Sequence, residues 1–203
     1  MPISLNISPK IITSISTLYN DTNRIFMEYI DNSLDSAEDF FDSKTNTYSK
    51  KITISLSLEG SSYKDGCVTI IDNCSGFKIS KVVESVGYSV KQSQFSTNGQ
   101  FGYGIYSFMA ACEELKVFSK HGDNNCLYLP INRKQFEVEN VNQVIFPDPI
   151  FAKQLKSSGT KIALSKFDKN MWKNIDIVKV KDGVKNCWVT QARRGCPEII
   201  CSS

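Results

Sequence analysis

Four oxygen-bearing side chains recur at helical spacing within EYIDNSLDSAED, residues 28–39. Glu28, Asn32, Asp35 and Asp39 are separated by four, three and four residues. At about 100° per residue, these positions share one narrow face of a helix. Carboxylate and amide oxygens suit a hard cation such as Mg²⁺, and a carboxylate beside such a site can act on a water molecule. The segment therefore predicts either a metal-assisted site or the solvated face of an ordinary amphipathic helix.

A second segment, TIIDNCSGF (69–77), ends a predicted strand in a carboxylate and continues into a turn. Asp72 can accept a hydrogen bond from an exocyclic amine such as N6 of adenine, and Gly76 lets the backbone approach a flat ring. The same residues also fit a plain Asx turn. Further along, SSGTKIALSKF (157–167) opens a strand whose Thr160 hydroxyl can support Asp72 directly or through water.

A third segment, NGQFGYG (98–104), places three glycines before a predicted helix. The backbone N–H groups around Gly99, Gly102 and Gly104 can cradle phosphate oxygens at the start of that helix. The same glycines can act as the hinge of a lid. A flexible loop without a ligand is the alternative, because a lone glycine-rich loop is a weak signal.

The elements that position these residues alternate between helices and strands. A helix is predicted from a cap at Asp21 or Thr22 to about Phe41, with its apolar side facing a core. Other predicted helices are a short one within 3–19, residues 78–86, residues 105–111 and part of 168–188. Strands are predicted at 52–59, 67–72, 114–120, 126–132, 135–146 and 159–167, with loops at 42–50 and 147–158 and a mobile segment at 88–104.

This order of elements predicts a two-layer α/β sandwich, in which helices cover one face of a mixed β-sheet. We predict a domain over residues 1–167. Residues 168–203 are predicted to be a C-terminal helical extension or the start of a further domain, and the stretch from Thr190 onward has no clear period.

Composition narrows the function classes. A chain of 203 residues with 41% hydrophobic residues can build a full core, and a net charge of +3 is too small to predict nucleic-acid binding by itself. Seven scattered cysteines without a CxxC pair indicate reduced thiols rather than a zinc or redox site. His121, the single histidine, gives no sign of a nucleophile–histidine pair. No apolar run approaches membrane-spanning length, and the N-terminus does not resemble a secretory signal.

Taken in order, the four segments resemble the boxes of the GHKL ATPases. This superfamily includes gyrase B, the ninety-kilodalton heat-shock chaperones, histidine kinases and the mismatch-repair protein MutL, and the chain is most similar to the MutL and MORC branches. EYIDNSLDSA resembles the E-x-x-x-N-[SA]-x-D-A box, IIDNCSGF the D-x-G-x-G box, NGQFGYG the G-x-x-G-x-G lid box, and SGTKIAL the final G-T strand. The resemblance covers about residues 10–167 and implies the Bergerat ATP-binding fold.

The resemblance also implies ATP and Mg²⁺ as ligands, with hydrolysis of ATP. Glu28 would be the general base, Asn32 would bind the metal, and Asp72 would hold the adenine amine with Thr160 behind it. Lid closure over the phosphates would drive an ATP-dependent homodimer. The implied ATP-binding residues are Asn32, Asp35, Asp72, Gly76, Lys91, Gly99, Gln100, Phe101, Gly102, Tyr103, Gly104 and Thr160.

Two departures from the family pattern leave alternatives open. Cys74 stands where the family has the first glycine of D-x-G-x-G, and a side chain there can narrow the adenine site or tilt the turn. The MutL and gyrase branches also receive a catalytic lysine from a following domain, which this chain is too short to hold. A nucleotide sensor without turnover is therefore the main alternative. A histidine-kinase catalytic domain is another, disfavoured by Glu28 and by the lack of a histidine-bearing helix before the box.

The sequence also gives expectations for the partners and for the cellular compartment. The expected partners are ATP and a second copy of the chain, with no membrane. Nucleic acid is possible through the full-length protein, and the basic residues near the tail fit a solvated face better than a nucleic-acid contact. These residues are Lys179, Lys181, Lys185, Arg193 and Arg194. The expected compartment is the cytoplasm, or the nucleus in a eukaryote.

Overall fold

Helices and strands alternate along the chain in the computed structural model, which describes residues 3–5, 14, 17–19, 21–78, 104–122, 124–137, 144–188 and 197–202. The α-helices are α1 (Thr22–Ala37), α2 (Lys169–Lys173) and α3 (Ile177–Trp188). The 3₁₀ helices are Glu38–Phe40, Gly104–Ala110 and Arg133–Phe136. The strands are β1 (Ile3–Leu5), β2 (Phe41–Asp42), β3 (Thr47–Tyr48), β4 (Thr53–Glu59), β5 (Cys67–Asp72), β6 (Cys112–Lys120), β7 (Leu127–Asn132), β8 (Val144–Phe146), β9 (Ile150–Phe151), β10 (Gly159–Phe167) and β11 (Glu198–Ser202).

The predicted helix that carries the acidic stripe is α1. The Asp21 side chain caps it by accepting a hydrogen bond from the Asn23 backbone N–H at 2.9 Å, which satisfies a donor of the first turn. Of the apolar side predicted to face a core, Phe26, Ile30, Leu34 and Ala37 are buried as expected, whereas its fifth member, Phe41, is half-buried. The α-helix ends at Ala37 rather than near Phe41, because one 3₁₀ turn follows and Phe41 is already extended.

Seven strands form the main sheet, in the order β11-β4-β5-β10-β6-β7-β9. β11 runs parallel to β4 and the other neighbours are antiparallel, so the sheet is mixed. One face of the sheet packs against α1 and the Gly104–Ala110 helix, and apolar residues from both layers form one core cluster. The predicted two-layer α/β sandwich is thereby confirmed, as are strands at β4, β5, β6, β7 and β10.

Several predicted elements differ from the structure. The predicted loop at 42–50 contains the hairpin of β2 and β3, which Asp42 closes by accepting from the Lys44 N–H at 2.9 Å. The prediction of a strand over 135–146 is wrong at the start of that range. Asn132 and Gln135 form a capping box there, which begins the 3₁₀ helix Arg133–Phe136, and among the described residues of this range Val144–Phe146 forms a strand.

Other differences concern the predicted helices. The helix predicted at 105–111 is of the 3₁₀ type. Near the N-terminus, Ile3–Leu5 is a strand paired with β8, while most of the first predicted helix and the one at 78–86 lie outside the described residues.

The C-terminal part is helical as predicted, and both helices lie near α1. The Asn23 side chain donates to the Asn174 carbonyl at 3.3 Å and accepts from the Asp176 N–H at 2.9 Å. Met27 lies against Gly183 of α3. β11 then adds a strand to the sheet edge in a stretch that has no sequence period. The domain boundary at residue 167 stays a prediction.

Among the helices that the structure describes, none combines the length with the apolar character needed to cross a bilayer.

Candidate functional site

Asp72 lies at the end of β5, in the middle of the sheet, where its register partners are Ile54 and Thr160. Its carboxylate is 5% exposed and receives three hydrogen bonds. Oδ1 accepts from the backbone N–H of Cys74 at 2.9 Å and of Thr160 at 3.1 Å, and Oδ2 accepts from Ser33 Oγ at 2.8 Å. Because a carboxylate oxygen can accept two hydrogen bonds, Oδ2 retains the capacity to accept a further donor.

Two opposing effects act on the charge of Asp72. Burial raises the pKa of this carboxyl above its ordinary value, while the three donors favour the charged form. Thr160 contacts Asp72 through its backbone N–H, and the predicted support from its hydroxyl stays a prediction. The strand register decides this, since it places the Thr160 N–H opposite the end of β5.

Ser33, which none of the sequence motifs singled out, also contacts Asp72. It is buried on α1, and its hydroxyl lies between Asp72 Oδ2 at 2.8 Å and the Tyr29 carbonyl at 3.3 Å. The signal for it was its place at the [SA] position of the E-x-x-x-N-[SA]-x-D-A pattern. Ser33 thus joins the acidic helix to the strand-end carboxylate.

Cys74, the departure from the family pattern, is fully buried beneath α1. Its Sγ donates to the Ser33 carbonyl at 3.4 Å, so the side chain faces the helix. Burial, with Asp72 nearby, raises the pKa of the thiol to about 12, which keeps the thiol protonated at neutral pH. The effect of Cys74 on ligand affinity stays a prediction.

Gly76 makes a turn that only glycine fits. Its φ is +65°, and a Cβ on it would lie 2.2 Å from the Lys120 carbonyl oxygen and 2.9 Å from that of Gly159. The next residue is fixed to β6, because the Phe77 N–H donates to Ser119 Oγ at 2.8 Å. The lack of a Cβ at Gly76 therefore permits close packing against β6 and β10. This requirement for glycine does not depend on whether a ring approaches the turn.

Glu28 and Asn32 lie one turn apart on α1, beside the start of the Gly104–Ala110 helix. A Cβ on Gly104 would lie 3.1 Å from Glu28 Oε2 and 3.8 Å from Asn32 Nδ2. Glu28 Oε1 accepts a hydrogen bond from Arg24 Nε at 3.3 Å, and the Arg24 side chain is largely exposed. The last glycine of the NGQFGYG segment therefore lies against the carboxylate and amide that were predicted to do chemistry.

The rest of the acidic stripe is divided between buried and exposed positions. Asp35 is buried, whereas Asp39 is exposed and accepts from Ser75 Oγ at 2.8 Å. Asp31, which the sequence analysis did not name, is half-buried. Its burial, with Glu28 and Asp35 nearby, raises its pKa to about 6. Its spacing of three residues from Glu28 was the available signal, and it adds to the negative charge on this face of α1.

The side-chain oxygens of α1 that could bind a metal fit an Mg²⁺ ion held mainly by phosphate, rather than a metal ion enclosed by protein side chains. Within the described ranges, no group of three or more His, Cys, Asp or Glu side chains could hold a metal ion. Mg²⁺ commonly takes one or two protein oxygens, with phosphate oxygens and water completing its coordination. The exposed Asn32 amide, one turn from Glu28, is a donor of that kind.

The remaining lid residues lie outside the described residues. These are Lys91, Gly99, Gln100, Phe101, Gly102 and Tyr103. Gly104 is the one member of this predicted set whose placement the structure describes.

The site has two ends along α1. Ser33 contacts the strand-end carboxylate, and Glu28 is five residues earlier, about 7.5 Å along the axis at 1.5 Å per residue. One end offers a buried acceptor for an amine, and the other offers a carboxylate and an amide beside a glycine. An elongated ligand with an amine-bearing ring would match both ends if its anionic tail carried a cation toward Glu28 and Asn32.

Comparison with known proteins identifies one family whose sequence profile covers the residues described above. The sequence profile of the family described as "Histidine kinase-, DNA gyrase B-, and HSP90-like ATPase" matches residues 19–160, which include α1, β5 and the first residues of β10. No curated protein sequence is significantly similar to the chain.

Proposed function

The chain belongs to the family of histidine kinase-, DNA gyrase B-, and HSP90-like ATPases, and from that membership we propose that it binds Mg-ATP beside α1 and hydrolyses it. The observation that carries this proposal is the buried Asp72 carboxylate. Its Oδ1 is taken by two backbone N–H groups, while Oδ2 has one donor, Ser33, and capacity for another. We assign that second donor to the exocyclic amine of adenine.

Recognition of adenine in this proposal requires Asp72 to be ionised, since only the carboxylate is a pure acceptor. The hydrogen bonds from Ser33, Cys74 and Thr160 stabilise that charged form and hold the carboxylate in one orientation. The buried position also strengthens the bond to the amine, because little water competes for the carboxylate.

At the other end of the site, Glu28 is proposed to accept a proton from the attacking water. Asn32 would hold Mg²⁺ through its side-chain oxygen, and the bound ion would neutralise charge between the phosphates. Phosphoryl transfer of this kind depends on positioning and electrostatic stabilisation rather than on a covalent nucleophile. The Arg24 contact holds one oxygen of Glu28, and the other oxygen faces Gly104.

We further propose that the glycine segment before Gly104 closes over the phosphates and that closure favours a homodimer, as in the MutL and MORC branches. The support is the order of the four sequence boxes and the position of Gly104 beside Glu28 and Asn32. Such a switch requires ATP to bind the closed state more tightly than the open state.

Replacement of Glu28 by glutamine tests the hydrolysis step. The variant keeps the shape of the side chain and its contact with Arg24, but it cannot accept the proton. We expect binding of a non-hydrolysable ATP analogue with Mg²⁺ to stay within about threefold of wild type, because the residue acts on the water. ATP turnover should fall about 10²-fold or more, as for loss of a general base. Calorimetry measures the first quantity and phosphate release the second.

Glu59→Gln is the matched control, since Glu59 is exposed at the far end of β4. Equal turnover in the two variants would refute the role of Glu28. Tight ATP binding without turnover in the wild type would instead favour a nucleotide sensor.

A further inference from the structure

The side chain of Tyr29 joins α1 to the Gly104–Ala110 helix. Tyr29 directly follows Glu28 and is 2% exposed, and its hydroxyl donates a hydrogen bond to the Ile105 carbonyl at 2.9 Å. Ile105 in turn follows Gly104, the glycine that lies beside Glu28. The same helix therefore supplies both the proposed general base and the hydroxyl that holds the backbone next to that base.

Two neighbours confine the Glu28 side chain. Arg24 contacts Oε1 at 3.3 Å, but the Arg24 side chain is 61% exposed, and an exposed ion pair of this kind contributes little. The backbone of Gly104 is the second neighbour, since a Cβ on Gly104 would lie 3.1 Å from Oε2 and 3.7 Å from the Glu28 Cβ. The placement of Gly104 therefore limits the positions that are open to Oε2.

The Gly104–Ala110 helix needs attachments at its ends to keep that placement. It is of the 3₁₀ type, in which the hydrogen-bond geometry is poorer than in an α-helix. At its far end, the Asp168 N–H donates to the carbonyl of Ala111 at 2.8 Å and so fixes the chain to the end of β10. At the end beside Glu28, the Tyr29 hydroxyl makes the corresponding attachment.

Tyr106, the residue after Ile105, offers a comparison for Tyr29. It is 0% exposed, and its ring packs edge-on against Phe136 with the centroids 5.6 Å apart. Its hydroxyl is buried and has no hydrogen-bond partner among the described residues. The two tyrosines are thus buried to a similar degree, but of the two it is Tyr29 whose hydroxyl holds a backbone group.

We propose that Tyr29 is a positioning residue for the hydrolysis assigned to Glu28. Its hydroxyl holds Ile105, so the backbone of Gly104 stays beside the Glu28 side chain and keeps Oε2 in one orientation. This inference rests on the proposed ATP hydrolysis. Adenine recognition does not depend on the hydroxyl, because Ser33 contacts Tyr29 through the backbone carbonyl.

Replacement of Tyr29 by phenylalanine in the full chain tests the proposal, since it removes the hydroxyl and keeps the ring. Turnover at saturating ATP and Mg²⁺ should fall about threefold to tenfold, which corresponds to the net contribution of one hydrogen bond. Affinity for a non-hydrolysable ATP analogue should stay within about twofold of wild type. Tyr106→Phe is the matched control and should keep wild-type turnover, because the hydroxyl that it removes has no partner among the described residues.

A double-variant cycle with Glu28→Gln distinguishes positioning from a purely structural role. Tyr29→Phe should not lower the residual turnover of Glu28→Gln any further, because a positioning residue acts through the base that it positions. A structural role would lower turnover by the same factor in both backgrounds. Without nucleotide, amide hydrogen exchange at residues 105–110 should be faster in Tyr29→Phe than in wild type and unchanged in Tyr106→Phe.

The proposal would be overturned by wild-type turnover in Tyr29→Phe, by an equal loss in Tyr106→Phe, or by a full additional loss in the Glu28→Gln background. If Tyr29→Phe is destabilised, all variants are compared at a temperature at which thermal melting shows each of them folded. A wild-type chain without ATP turnover would contradict the proposed function itself. Turnover that is independent of the Tyr29 hydroxyl would contradict this inference alone.

Discussion

Replacing Asp72 by asparagine would turn an acceptor of the proposed adenine pocket into a donor. Two backbone N–H groups, of Cys74 at 2.9 Å and Thr160 at 3.1 Å, point at Oδ1, so the amide oxygen of the new side chain must take that position. The amide nitrogen then takes the position of Oδ2, 2.8 Å from Ser33 Oγ. The adenine amine would therefore meet another N–H group.

The size of the effect follows from the lost hydrogen bond. A hydrogen bond to a charged acceptor contributes about 1.5–3 kcal/mol net, which corresponds to about tenfold to a hundredfold in affinity for ATP. Guanine presents a carbonyl oxygen where adenine presents its amine, so the affinity for GTP should fall less or rise. The fold should be kept, because the substitution removes a buried charge and preserves both backbone hydrogen bonds.

The assay is calorimetry with non-hydrolysable analogues of ATP and GTP in the presence of Mg²⁺. Asp182→Asn is the control, since it makes the same change at an exposed position of α3. Thermal melting confirms that each variant is folded. A folded Asp72→Asn variant that binds the ATP analogue with wild-type affinity would refute both the amide orientation and the assignment of Asp72 to adenine.

Three further predictions concern stability. Burial, with Glu28 and Asp35 nearby, raises the pKa of Asp31 to about 6, so between about pH 4 and pH 6 the folded chain keeps a proton that the unfolded chain releases. The free energy of unfolding should therefore fall as pH rises through this range. Urea titrations of Asp31→Asn should show a flatter dependence on pH. Gly76→Ala should lower the free energy of unfolding by at least about 2 kcal/mol, because it combines a positive φ with a backbone clash. Asn23→Ala should lower it by about 1–3 kcal/mol, because two backbone groups near α3 lose their partner.

Matched variants test these three reasons separately. Gly122→Ala also has a positive φ, of 58°, but no atom lies within 4 Å of the added Cβ, so a loss as large as that of Gly76→Ala would contradict the packing argument. Lys179→Ala breaks an exposed pair with Asp21 worth less than about 1 kcal/mol, and Asn23→Ala should exceed it clearly. An Asp31→Asn variant with the wild-type pH slope would remove Asp31 as its source.

Local patterns predicted most of the sheet and the main helix, because period and alternation are properties of a short stretch of chain. Thr53–Glu59, with alternating burial, is an example. Predictions from strand and helix periods failed where a side-chain cap or a pairing with a distant segment decided the structure. The capping box of Asn132 and Gln135 replaced a predicted strand by a 3₁₀ helix. The strand Glu198–Ser202 exists through parallel pairing with β4, which no pattern near it indicates.

The sequence by itself determined which side chains share a face of α1, since Glu28 and Asn32 follow from helical period alone, and it determined the order of the boxes that indicate the family. Only the tertiary structure decided how Asp72 is held. Its three donors come from a helix, a turn and a strand 88 residues further along the chain. The physical reason is that hydrogen bonds between distant segments depend on strand register and on helix placement, which arise when the core packs and which no local spacing encodes.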